Sequence, residues 1–168
     1  MSDFKVDVPG GDDLTVVMTR TFDAPRALVW KVMTEPQHIA RWWAAKSITR
    51  SVTVEKHDLR IGGAWRFVSH GLDGNDYIFL GKFLEIVPPE KVVQTFGMEG
   101  MFEGKIIIET MTLTEAGGRT RYRNVSTFES RGDRDGMVAS GMEHGARETL
   151  DQLEAILGEL KTQGQQQQ

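Results

Sequence analysis

The stretch from Ser47 to Phe128 constrains this chain more than any other. It is a series of short apolar runs cut by turn residues at Gly62-Gly63, Asp73-Gly74, Pro88-Pro89, Gly97 to Gly104 and Gly117-Gly118. That spacing predicts five or six antiparallel strands in a meander, with Asp73-Gly74 and Gly117-Gly118 supplying the positive φ angles of two-residue hairpin turns. A meander with one apolar face needs a cover. From about Asp133 to Leu160 one helical face carries Val138, Met142, Gly145, Ala146, Leu153, Ile156 and Leu160, the largest apolar stripe in the chain. Ahead of the meander, Leu14 to Phe22 is rich in β-branched residues and reads as a strand. Pro25 then opens a helix bearing Leu28, Val29, Val32 and Met33, Pro36 stops it, and a second short helix carries Gln37 to Trp43.

These elements give an α+β fold: an antiparallel sheet of about six to seven strands curved around a long C-terminal helix, with two short helices after the first strand. At 168 residues the chain suits one core. Residues 1–13, with Pro9-Gly10-Gly11, read as a flexible N-terminal segment, 14–160 as the domain, and 161–168, ending in four glutamines, as a disordered polar tail. The formal charge of −4 offers no basic excess for nucleic acid. Cysteine is absent, which removes disulfides and thiolate chemistry and fits a reducing, cytoplasmic setting. No run approaches the ~20 apolar residues of a membrane span, so membrane insertion is not expected.

Several motifs in fixed order carry a resemblance. They are Arg20 to Trp30 (RTFDAPRALVW), Thr34-Glu35-Pro36, Arg41-Trp42-Trp43, Asp58 to Gly63 (DLRIGG) with Trp65, and Asp73-Gly74. Gly81 with Phe83 to Pro89 (FLEIVPP), Gly141 to Gly145 (GMEHG) and Thr149 to Leu153 (TLDQL) complete the set. Over residues 15 to 157 the chain resembles the activator of heat-shock protein 90 ATPase homology family. The resemblance implies the helix-grip fold of START-like domains, with a cavity between sheet and helix. It also implies, by family habit, a homodimer.

Side chains alternate between the two faces of a strand, so one inward apolar residue fixes its neighbours at two-residue steps. Met111 and Leu113 put Glu109 on the inward face unless a bulge or strand twist turns it to solvent, and Tyr122 sets the same parity for Asn124, Ser126 and Phe128. Trp65 and Phe67 share a face, as do Tyr77, Phe79 and Phe83. On the last helix Met142, Gly145 and Ala146 make a thin stretch, and a mid-helix glycine that costs up to ~1 kcal/mol needs a packing reason. Met98, Met101 and Phe102, between glycines, are placed either to gate the cavity or to fold from a hairpin turn onto the core edge, and Trp43 to close the opposite rim. Arg20 points to the core side, where it either snorkels or meets an acid. These residues predict a mostly apolar pocket with a few polar groups, although the aromatics among them equally suit plain packing.

The four histidines lack mutual metal-ligand spacing, and no phosphate loop, dinucleotide fingerprint or nucleophile elbow is present, so no metal or cofactor is expected. The first reading is therefore a protein that binds a small hydrophobic or amphipathic molecule. An enzyme in the same cavity is a second reading, with Glu109 and Tyr122 as the acid–base candidates. A chaperone-ATPase partner is a third. It is weakened by the thirteen loose residues before the first strand, where family activators carry a chaperone-engaging domain.

Overall fold

The computed structural model describes residues 2–10, 13–101 and 104–166. The chain runs β1 (Lys5–Asp7), β2 (Thr15–Phe22), α1 (Arg26–Thr34), α2 (Pro36–Trp42), β3 (Thr49–His57), β4 (Ala64–Gly71), β5 (Asp76–Val87), β6 (Lys91–Met98), β7 (Ile107–Ala116), β8 (Arg119–Thr127), α3 (Arg131–Ala139) and α4 (Met142–Gln166). All eight strands form one antiparallel sheet in the order β1-β2-β8-β7-β6-β5-β4-β3. Strands β3 to β8 are joined in sequence as the meander requires. The first long strand, β2, lies beside the last, and α1 with α2 carry the chain across to the far edge. The sheet curves around α4, which is the helix-grip arrangement expected above.

Three boundaries differ from the sequence reading. The sheet has eight strands rather than six to seven, because Lys5–Asp7 pairs with Val17–Thr19 and buries Phe4 behind it. The opening segment therefore belongs to the fold. At the other end, α4 continues to Gln166 past the expected stop at Leu160, since no proline interrupts it there. The single C-terminal helix is also two. Ser140 caps α3, and Gly141 takes a φ of +88°, a left-handed conformation that suits glycine. The break shifts the helical phase, so Val138 turns outward at 37% exposure and Met137 takes the inward position.

The turns show why residue type alone is an incomplete guide. Gly117-Gly118 joins Ala116 and Arg119 directly, both glycines at positive φ, as a two-residue hairpin demands. Asp73-Gly74 sits instead in a three-residue loop. The Gly74 N–H donates to the Gly71 carbonyl and the Gly71 N–H to the Asn75 carbonyl, with only Gly74 left-handed.

Alternation is strict on the inner face of β2, where Val16, Met18, Arg20 and Phe22 are all buried. Met18 and Phe22 meet Leu150, Leu153, Ile156 and Leu157 of α4, together with Val29 and Val32 of α1, whereas Val16 packs with Ile107 and Phe128. A second cluster, Trp65, Phe67, Phe83, Val92 and Ile39, lies under α2. Gly81 is what lets that cluster close. A Cβ there would stand 2.0 Å from the Thr95 carbonyl oxygen and 2.6 Å from the Trp65 indole nitrogen. Gly81→Ala is accordingly expected to cost about 1–3 kcal/mol through forced displacement of β6, measured as a lowered midpoint of urea unfolding. An unchanged midpoint would mean that the strands separate freely at this point.

Candidate functional site

Two adjoining chambers lie between the sheet and the helices. The outer one, about 780 Å³, spans the start of α4, the end of α2 and strands β4 to β8. It reaches the surface between Ile48, Leu72 and Met101, which are 70%, 63% and 47% exposed. The inner one, about 210 Å³, lies beneath α1 and α2 against β3 to β8. Trp42, Trp43, Phe96 and Glu109 border both.

The described candidates divide between the chambers. Tyr77, Phe79, Met101, Met142, Gly145 and Ala146 line the outer one, and Trp65, Phe67, Phe83, Met111, Tyr122 and Asn124 the inner one, with Trp43 and Glu109 at the junction. Phe102 lies outside the described residues. Gly145 falls in the first turn of α4 rather than mid-helix, and a Cβ there meets no atom within 4 Å. Its missing side chain leaves space on the cavity side. Of the segment from Gly97, Gly97 and Met98 belong to β6, and Met98 is bridged to Met101 across the turn at Glu99-Gly100, so the described part is a hairpin turn.

Trp43 caps α2 and stands with its ring centroid 4.6 Å from Phe79 and 5.2 Å from Phe67, both edge-on. Its neighbour is structural: the Trp42 indole N–H donates to the Val32 carbonyl at 2.9 Å. Gln152 of α4 fixes this corner by donating to the carbonyls of Trp42 and Ala44 and accepting from the Lys46 N–H.

Glu109 is the centre of a polar belt across three strands. It pairs in register with Gln94 on β6 and Ser126 on β8. The Gln94 amide donates to one carboxyl oxygen at 3.3 Å and the Asn124 amide to the other at 3.5 Å. Protein encloses the group on every side except the cavity, and this desolvation raises its pKa despite the partial offset from Gln94, Asn124 and Ser126. Burial, and secondarily the nearby Glu109 charge, also raises the pKa of Tyr122, which keeps its phenol protonated. His57 in the inner chamber is pushed the other way, chiefly by burial, with the Thr34 carbonyl and Asp58 opposing. Its Nε2–H donates to that carbonyl at 2.6 Å, and its buried Nδ1 has no hydrogen-bond partner. In its protonated form, which burial favours, the Glu109 carboxyl can donate a hydrogen bond to a carbonyl oxygen.

Sequence reasoning missed Phe96, Ile107, Met137 and the Thr49–Ser69 hydroxyl pair, 3.1 Å apart. Ile107 was available, since it shares the parity of Glu109. The others depend on where β6 ends, how α3 is phased and how β3 pairs with β4, none of which periodicity fixes.

The sequence profile of the activator of Hsp90 ATPase homolog 1-like protein family matches residues 23–158. The chain belongs to this family. Solved structures agree with membership. A protein from Arthrobacter aurescens is 29% identical, with a TM-score of 0.83 over 92% of this chain and 91% of that one. Protein Ms6760 from Mycobacterium smegmatis is 26% identical, with a TM-score of 0.78 over 91% of this chain and 97% of that one. No curated protein matches the chain. Members of the family share the START-like helix-grip fold, and the two chambers occupy the space that fold leaves between sheet and helix. Among the described residues no helix is long and apolar enough to cross a membrane, and no group of three or more His, Asp or Glu is placed to hold a metal ion.

Proposed function

We propose that this family member holds a small, largely apolar molecule in the outer chamber, with one polar end against the belt at Glu109. The observation that carries the reading is the chamber itself. Its volume of about 780 Å³ suits a drug-sized ligand. Its walls are apolar, from Phe79, Phe96, Ile107 and Phe128 to Met142, and are broken by a few polar groups that can orient a guest. A packed core has no use for such space, because unfilled volume forfeits dispersion contacts.

Gly145→Leu tests the reading directly. The new side chain projects into open space, so the fold should persist while the chamber shrinks. A thermal-shift screen of hydrophobic metabolites against the parent should find ligands. One present at 100 times its dissociation constant adds about 2.7 kcal/mol of apparent stability. The variant should bind the same ligands at least about tenfold more weakly, ~1.4 kcal/mol. Equal binding by parent and variant would place the ligand elsewhere.

A further inference from the structure

The charge inventory of the two chambers narrows the ligand class. Among the described residues, neither chamber is lined by any Lys or Arg. Their ionisable groups are Asp73 at the outer rim, already bonded to the Tyr77 hydroxyl, Glu109 at the junction, and His57 and Tyr122 in the inner chamber. Trp42 and Trp43 face Glu109 from α2 and bring no charge, and the chamber-lining residues of α4 are Met142, Gly145, Ala146 and Thr149. A carboxylate, sulfate or phosphate guest would therefore enter a desolvated space with no counter-charge and with an acid at its floor.

The hydrogen bonds around Glu109 specify more. Amides from Gln94 and Asn124 both donate to it, one to each oxygen. Asn124 also donates to Ser126, at 3.4 Å. When protonated, Glu109 keeps both oxygens as acceptors for these amides and adds an O–H donor at the border of the two chambers, for which the Ser126 hydroxyl and a guest's carbonyl compete.

We propose that the ligand is an uncharged, mainly apolar carbonyl compound, a ketone, ester or lactone, whose carbonyl oxygen accepts a hydrogen bond from the carboxyl group of Glu109. The proposal rests on the binding reading above and specifies its chemistry. The apolar body fills the outer chamber, the carbonyl lies at the junction, and the small inner chamber takes whatever substituent extends past it. Selectivity against acids comes from the missing cation, and selectivity against plain hydrocarbons from the O–H, which a hydrocarbon cannot engage.

The experiment uses two fluorescent probes of similar size on the full chain. One is prodan, an uncharged naphthyl ketone whose emission moves to the red when its carbonyl accepts a hydrogen bond. The other is anilinonaphthalene sulfonate, an anion. In mildly acidic buffer prodan is expected to bind at least about tenfold more tightly than the sulfonate. Gly145→Leu should weaken it, and Glu109→Leu should remove the red component of its bound emission. Raising the pH should release prodan from the parent as Glu109 ionises. Glu109→Gln, which keeps a donor but cannot ionise, should hold it throughout. If both probes bind equally and both respond to Gly145→Leu, the cavity reading stands and the carbonyl assignment is overturned. Prodan binding that tightens with pH in the parent would overturn it as well. If neither probe binds parent or variant, the cavity reading fails and takes this inference with it.

Discussion

Removing both acids that hold Arg20, in the double variant Asp151→Ala/Glu154→Ala, is expected to destabilise the protein by about 3–5 kcal/mol, the usual cost of stranding a buried charge. Arg20 lies on β2 at 1% exposure, with its guanidinium bonded to Asp151 at 2.7 Å and to Glu154, both on α4. Its Nε has no partner, and the Phe22 ring lies 5.4 Å from the guanidinium carbon. The acids themselves are about half exposed, so the desolvation falls on the arginine. This asymmetry makes a second variant informative. Arg20→Met fills a similar volume and leaves two partly hydrated carboxylates, so its cost should be under about 1.5 kcal/mol. Urea unfolding of both variants decides the matter. Equal losses would mean that the charge on Arg20 is hydrated in solution and that the pair adds only a surface interaction.

Arg20 also illustrates how far the chain could be read from its residues. The parity of Val16, Met18 and Phe22 is enough to turn it inward, because strand alternation is a local rule. Of the two fates open to an inward arginine, the structure shows the pairing with acids. Which acids it meets depends on a helix 131 and more residues away, and no local rule reaches that far. Glu109 follows the same logic. Its inward direction came from Met111 and Leu113, whereas its amide donors follow from the registers of β6 and β8 against β7.

The boundaries that were misread share a cause. Lys5–Asp7 is too short and too polar to announce itself as a strand, and it exists because β2 presents an open edge. The stripe reads as continuous past Gly141, which lies off it, because Val138, Met142 and Gly145 are spaced as a helix requires. Only its left-handed backbone shows the break that brings Met137 to the chamber. Most of the cavity walls were accessible to alternation, whereas the mouth at Ile48 and Leu72 was not. That mouth is made when the Leu72 N–H bonds to the Ile48 carbonyl, joining two loops far apart in sequence.

The pH dependence of stability offers a test of Glu109 that needs no ligand. Its folded-state pKa is raised by burial above its unfolded value of ~4.3. Below that unfolded value both states are protonated and the group contributes nothing to the pH dependence. As the pH rises through the unfolded value and toward the folded one, the unfolded chain loses its proton first. Stability then falls by up to ~1.4 kcal/mol per pH unit until the folded pKa is passed. Glu109→Gln cannot titrate, yet its amide can still bond to Gln94 and Asn124. The variant should therefore match the parent in acid and become progressively more stable than it toward neutral pH. The lowered pKa values of Asp3, Asp13 and Asp73 act in the opposite sense, but they are common to both proteins and cancel in the difference. Urea midpoints of the two proteins taken across this range give that difference directly. Parallel curves would mean that Glu109 titrates as a hydrated carboxyl, and a cavity floor open to bulk water would be the physical reason.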